Sequence, residues 1–144
     1  MSQQQIGQGP GNLVPDTEYK EFLCNGAIAK GDVVGLLLTG TTGYTIDQCT
    51  TTTIPPIGVA AESGADGTWI KVVVSGWCDY VTNDGTDVVA GDMLVGGAGV
   101  AIPYTLAEVQ ADAGHVGWFG QIIGQSLGAE TGTTCTECII YKKI

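Results

Sequence analysis

Arginine is absent from this sequence, and its fifteen acidic residues are opposed by only five lysines. The formal charge of −10 repels phosphate backbones, and the forked guanidinium group that binds phosphate through two hydrogen bonds is missing. We therefore expect no nucleic acid among its partners. The same excess of negative charge favours solubility and contact with a basic surface.

Long apolar runs are also lacking. The longest, such as residues 33–38, are far shorter than the roughly 20 apolar residues that a membrane-spanning helix needs. Residues 1–16 have neither the basic region nor the apolar region of a secretion signal. We expect a protein that is made in the cytoplasm, stays soluble and has no membrane partner.

The usual signatures of catalysis are missing too. His115 is the single histidine, and no Gly-x-Ser-x-Gly motif supplies a nucleophile beside it. The glycine-rich residues 96–99 lead into a strand-like stretch and lack the lysine of a phosphate-binding loop. The carboxylates are scattered singly through turns, where aspartate commonly caps its own backbone. We expect no enzyme activity, no metal site and no cofactor.

Cys135 and Cys138 form a C-x-x-C motif, which raises the alternative of a thiol or zinc protein. A redox dithiol usually starts a helix, whereas the residues after Cys138 have strand character. In one extended strand, positions 135 and 138 point to opposite faces. A zinc site would also need ligands from Cys24, Cys49 or Cys78, which stand alone. The sequence favours buried, apolar cysteines in a reducing compartment.

What the chain has in abundance is glycine, 23 residues of 144, between short runs rich in Val, Ile and Thr. This composition is typical of many short strands joined by tight turns. Within residues 68–76 the alternation places Trp69, Lys71 and Val73 on one face and Ile70, Val72 and Val74 on the other. The strand predictions cover residues 18–26, 32–40, 41–49, 57–63, 68–82, 88–95, 99–104, 117–128 and 136–144.

Residues 105–115 are the one segment with helical signals. Thr105 and Glu108 have the spacing of a capping box, and Gly114 suits the residue that follows a helix. The sequence therefore predicts one short helix in an otherwise all-β chain.

The motif Gly-Asp before an apolar run occurs twice, at Gly31-Asp32 and at Gly91-Asp92. Each pair predicts a turn, because glycine reaches positive φ and aspartate bonds its own backbone. Ile57-Gly58 and Ile123-Gly124 follow at similar distances. We predict an all-β fold in which two similar halves close a small barrel or sandwich.

Residues 1–16 contain Gln, Gly and Pro with few apolar residues, so they cannot form a core of their own. We predict an extended N-terminal arm over 1–16 and a single β-rich domain over 17–144. Glycine and proline let such an arm follow a groove, and its glutamines can pair with exposed backbone.

An ordered series of motifs resembles a known family: AIAKGDVVGL (27–36), IGVAAES (57–63), GTWIKVVVSG (67–76), VVAGDMLV (88–95) and IIGQSLG (122–128), with a closing strand. The chain resembles the head-decoration, or capsid cement, proteins of tailed bacteriophages over about residues 22–143. The resemblance implies a small glycine-rich β-barrel or β-tulip-like sandwich. It also implies a structural virion protein on the outer surface of the mature capsid that stabilises the shell against genome pressure. It implies the major capsid protein as partner and a homotrimer at threefold or quasi-threefold positions.

Within this hypothesis the arm is the predicted capsid contact, and two aromatic residues are predicted to be partly exposed at a subunit contact. Aromatic side chains dominate interface energetics, although Trp77 is expected to be buried. A tail or fibre accessory module that binds carbohydrate or another virion protein is the alternative. The predicted contact residues are Gln3, Gln4, Gln5, Ile6, Leu13 and Val14 in the arm, and Trp118 and Phe119 in the body, with Trp69, Trp77 and Tyr104 as further candidates.

Overall fold

A computed structural model describes residues 16–38, 43–50, 53–111 and 121–144. The elements of these residues are one helix and eleven strands. They are β1 (Glu18–Cys24), β2 (Val33–Leu36), β3 (Thr45–Gln48), β4 (Pro56–Ala60), β5 (Trp69–Cys78), β6 (Val81–Thr82), β7 (Met93–Gly96), β8 (Ala101–Tyr104), α1 (Leu106–Ala111), β9 (Ile122–Ser126), β10 (Thr134–Cys135) and β11 (Cys138–Ile140).

The first half closes into a five-stranded barrel in the order β1-β3-β2-β4-β5, with β1 also paired to β5. All of its ladders are antiparallel except β1–β3, where Leu23 and Cys24 face Thr45 and Ile46 in parallel register. Closure removes the sheet edges that would otherwise pair with another chain. Its core is an apolar cluster from all five strands and the β1–β2 connection: Phe22, Cys24, Ile28, Val34, Ile46, Ile57, Ala60, Ile70, Val72 and Val74.

The second half continues the same sheet from β5 through β11, β9, β7 and β8. A parallel bridge between Asn83 and Ala101 connects the chain after β6 back to β8, while β6 pairs with β10. Val33, Val59 and Val73 point away from the first core and join the core of the second half. The two halves therefore share one strand, β5, and pack against each other through valine side chains.

The two Gly-Asp turns are built alike. Gly31 and Gly91 have φ of 92° and 94°. The Oδ2 atoms of Asp32 and Asp92 each accept a hydrogen bond of 2.9 Å from the backbone N–H three residues earlier. Both turns thus have the conformation that the sequence predicts.

The equivalence of Ile57-Gly58 with Ile123-Gly124 is also confirmed. Gly58 faces Val34 and Gly124 faces Leu94 in corresponding ladders. A Cβ atom at Gly58 would collide with the carbonyl oxygen of Val73, and one at Gly124 with that of Ile139. Together with the turns, these registers confirm an all-β barrel fold with two similar halves.

The predicted helix is present, with the cap that the sequence indicates. The backbone N–H of Thr105 donates to Glu108 Oε2 at 2.7 Å, and the N–H of Glu108 donates to Thr105 Oγ1 at 3.1 Å. This hydrogen bonding lowers the pKa of Glu108 from its usual value. The described helix ends at Ala111, and the rest of the predicted 105–115 segment, with Gly114, lies outside the described residues.

Several strand bounds differ from the sequence predictions, as where β7 begins at Met93 rather than at Val88. Pro56 already pairs with Gly35, so β4 begins one residue before the predicted start at Ile57; the ladder shifts register there, which tolerates a proline. Val73 lies on the face opposite to Ile70, Val72 and Val74, as the alternation predicts, and it is buried because the second half covers that part of β5.

Residues from both ends of the described chain meet beside β5. The Thr17 hydroxyl donates to the Trp77 carbonyl at 2.7 Å, and Lys142 Nζ lies 3.0 Å from Glu18 Oε1. The hydrogen bond with Lys142 lowers the pKa of Glu18. None of the described helical segments has the length and apolarity to cross a bilayer.

Candidate interaction surface

The predicted contact residues of the arm, together with Trp118, Phe119 and His115, lie outside the described residues. The roles assigned to Gln3, Gln4, Gln5, Ile6, Leu13, Val14, Trp118 and Phe119 therefore stay predictions. The point of attachment of the arm is described, however. Asp16 lies against Gly76, which has a φ of 92° and no room for a Cβ atom beneath the Asp16 carbonyl. Residue 16, where the predicted arm ends, thus lies beside β5, where the two halves meet.

A cavity of about 250 Å³ opens at the same place, and we call it the seam cavity. Its walls include the rings of Tyr19, Trp77 and Tyr80, which are 53%, 36% and 38% exposed, together with Lys30 and Asp79. Aromatic faces beside a cation and a carboxylate can stack on a ligand and also hydrogen-bond its polar groups.

The first Gly-Asp turn supports one wall of the seam cavity. A Cβ atom at Gly31 would lie 2.6 Å from the ring of Tyr80, so only glycine lets this ring pack on the turn. The Thr82 N–H donates to the Gly31 carbonyl at 3.0 Å and holds the two segments together. Lys30 Nζ lies 5.1 Å from the centre of the Tyr80 ring, a cation–π distance.

The prediction that Trp77 is buried is wrong. Its neighbours Gly76 and Cys78 are buried, and strand alternation directs Trp77 to the outer face. Trp69, at the other end of β5 and about 26 Å away, is 55% exposed, and its ring centre lies 6.2 Å from that of Tyr44. Tyr104 is half-buried. Exposed aromatic side chains therefore mark both ends of this strand.

Sequence reasoning did not identify Tyr19, Lys30, Asp79 or Tyr80 as site residues. They come together because β1, the first turn and the β5–β6 connection converge, which no local pattern reports. The one available signal was Gly31, since a required glycine indicates that something approaches closely.

The expectation that Cys135 and Cys138 point to opposite faces is wrong, although the prediction that the cysteines are buried is confirmed. Residues 136–137 bend the chain between β10 and β11, so the segment is not one extended strand. The two sulfur atoms lie 2.9 Å apart in the core of the second half. Among the described residues, no three His, Cys, Asp or Glu side chains are grouped to hold a metal ion.

Comparisons with known proteins found no matching protein-family model and no matching curated protein. A solved structure does match: the N base of the head fiber gp8.5 of bacteriophage phi29. The two share 17% sequence identity and superpose with a TM-score of 0.55, over 90% of this chain and 98% of that chain. At this level of identity the likeness shows a common fold.

Proposed function

We propose that this protein is a structural component of a tailed-phage virion, bound on the outside of the head. The observation that carries the proposal is the shared fold with a phage head fiber base over nearly the full length of both chains. The motif series that resembles capsid cement proteins supports the same class of function. In the finer form of the proposal, the protein binds the major capsid protein as a homotrimer and stabilises the shell.

The body suits adhesion to a repeating surface. Five of its strands close into a barrel, and the predicted arm is joined to the body beside exposed aromatic side chains. Each copy needs to bury only a modest area, because arrayed contacts add through avidity.

Particle binding tests this proposal. Purified phage heads, separated on a density gradient, should carry the protein at a copy number that matches lattice symmetry. Deleting residues 2–14 should leave the far-UV circular dichroism spectrum of the body unchanged and strongly reduce binding to heads.

A matched pair of variants tests whether the apolar side chains of the arm contribute more to binding than its glutamine side chains do. Changing Ile6, Leu13 and Val14 to Ser should weaken binding more than changing Gln3, Gln4 and Gln5 to Ala. Absence of the protein from intact heads would contradict the proposed function, whereas full binding after the deletion would contradict only the role of the arm.

The second candidate is a fibre accessory module that binds carbohydrate, and the seam cavity favours it. Tyr19, Trp77 and Tyr80 offer aromatic faces to a sugar ring, and Lys30 and Asp79 can bond its hydroxyl groups. A glycan array tests this candidate. Binding that is lost in Trp77→Ala and retained in Trp69→Ala would establish it, because Trp69 is exposed but does not line the cavity. Equal binding by both variants would contradict the assignment to the cavity.

A further inference from the structure

The loop between β10 and β11 brings two thiols into contact. Cys135 ends β10 opposite Val81, and Cys138 starts β11 opposite Cys78. The paired segment is interrupted at the same level, between β5 and β6, so the two segments bend together. A hydrogen bond of 2.7 Å from the Leu127 N–H to the Glu137 carbonyl fixes the loop. The bend directs both sulfurs inward, and both residues have 0% exposure.

The core does not need thiols at this place for packing. Ser126 pairs with Cys138 in the second half as Ala60 pairs with Val72 in the first, so Val72 is the counterpart of Cys138. Because the same fold accepts valine there, an apolar side chain of similar size satisfies the position.

The contact also differentiates the two sulfurs chemically. The Cys138 thiol donates a hydrogen bond to Cys135, which lowers the pKa of Cys135 to about 6 and raises the pKa of Cys138. Burial, by contrast, raises the pKa of Cys49 to about 11. At neutral pH Cys135 therefore has the character of a nucleophilic thiolate and Cys49 does not.

We propose that Cys135 and Cys138 form a reversible intramolecular disulfide when the protein meets a low-molecular-weight disulfide as oxidant. The Cys135 thiolate attacks one sulfur of the oxidant, and the other sulfur leaves as a thiolate that takes up a proton. Cys138 then loses its proton and attacks the Cys135 sulfur, which releases the second thiol. Two protein thiols are oxidised by two electrons, and one oxidant disulfide is reduced to two thiols.

The geometry favours this pair over other pairs. A disulfide bond is about 2.0 Å long, so the sulfurs must approach by less than about 1 Å. Cys78, across the ladder from Cys138, instead directs its thiol to the Tyr80 carbonyl at 3.7 Å. Since both sulfurs are buried, exchange proceeds through local opening of β10, a strand of two residues paired with another of two residues.

The inference does not depend on the proposed function, but it would give a virion protein a covalent link that forms only after release from a reducing cell. The bond joins the end of β10 to the start of β11 and so fixes the bend in the second half.

Thiol counting and peptide mapping test the proposal. Folded protein is incubated with oxidised glutathione at pH 7, unfolded in acid and alkylated. We expect two of its five cysteines to escape alkylation, with a mass loss of about 2 Da for two hydrogen atoms, mapped to Cys135–Cys138. Dithiothreitol should restore all five. Five alkylated cysteines after oxidation, or a bond mapped to another pair, would overturn the proposal.

Two variants sharpen the test. Cys138→Val introduces the residue that stands at the equivalent position of the first half, and it should trap glutathione on Cys135 as a stable mixed disulfide. Cys24→Ala is the control and should still form the Cys135–Cys138 bond. A pH series should show the rate of bond formation rising with pH, as the attacking thiol ionises. If Cys138→Val does not fold, the map from the unchanged protein decides.

Discussion

At the level of single residues, Gly58 and Gly124 hold the sheet of each half together by having no side chain. Each lies in a ladder where the neighbouring strand presents a backbone carbonyl, of Val73 or of Ile139, to the place a Cβ atom would occupy. Backbone cannot move aside as a flexible side chain can, so an added methyl group forces the strands apart.

Gly124→Ala should therefore lower the free energy of unfolding by about 2 kcal/mol or more, the usual range for overpacking. Gly43→Ala is the matched control, because a Cβ atom there meets nothing within 4 Å and the glycine has no positive φ. Guanidinium denaturation measures both. Equal stability of the two variants would show that the strands relax without cost.

Among the elements, the two Gly-Asp turns differ in the number of hydrogen bonds that their aspartates accept. Asp32 Oδ2 accepts from the Ala29 N–H and also from Gln48 Nε2 at 2.9 Å, which ties the first turn to β3. Asp92 Oδ2 accepts from the Val89 N–H. Both aspartates are buried, so their hydrogen bonds are made away from competing water.

Asp32→Ala should consequently destabilise the protein more than Asp92→Ala. We expect losses of about 2–3 kcal/mol and about 1–2 kcal/mol, because the first change also removes an acceptor from Gln48. Urea denaturation of the two variants gives the comparison, and a Gln48→Ala background should bring them closer. A larger loss for Asp92→Ala would contradict the assigned role of Gln48.

Local patterns predicted the elements that local chemistry determines. The positive φ of Gly31 and Gly91 and the cap of α1 follow from residues within one turn. The burial of Val73 and the face of Cys138 did not follow, because the second half covers the one and a bend in two paired strands turns the other. Strand alternation applies to a single flat strand, so it predicts neither the covering of Val73 nor the bend before Cys138.

At the scale of the whole molecule, both halves are built on β5. Its first part closes the five-stranded barrel, and its last part, from Gly76 to Cys78, pairs with β11 of the second half. A substitution that destabilises one half therefore also destabilises β5, which is part of the other half. This arrangement favours a single cooperative unfolding transition.

Gly58→Ala and Gly124→Ala, one in each half, test this cooperativity. Each should shift the same single transition, with circular dichroism and tryptophan fluorescence giving coincident midpoints and an unchanged dependence on denaturant. Two separated transitions, only one of them moved by each variant, would show that the halves unfold independently.

The seam cavity belongs to this scale as well, and for that reason the sequence could not predict it. Tyr19, Lys30 and Tyr80 come from three separate segments and meet only when both halves are assembled. The sequence predicted the duplicated architecture from its repeated motifs, but not the surface created where the copies join.

The ion pair of Lys142 with Glu18 has a practical consequence for engineering the chain. Because this ion pair brings the two ends of the described chain together, a short linker could join residue 144 to residue 16, and new ends could be opened at the exposed Gly67 turn. Such a circular permutant keeps every ladder while moving the attachment point of any fused peptide to the opposite end of the first barrel.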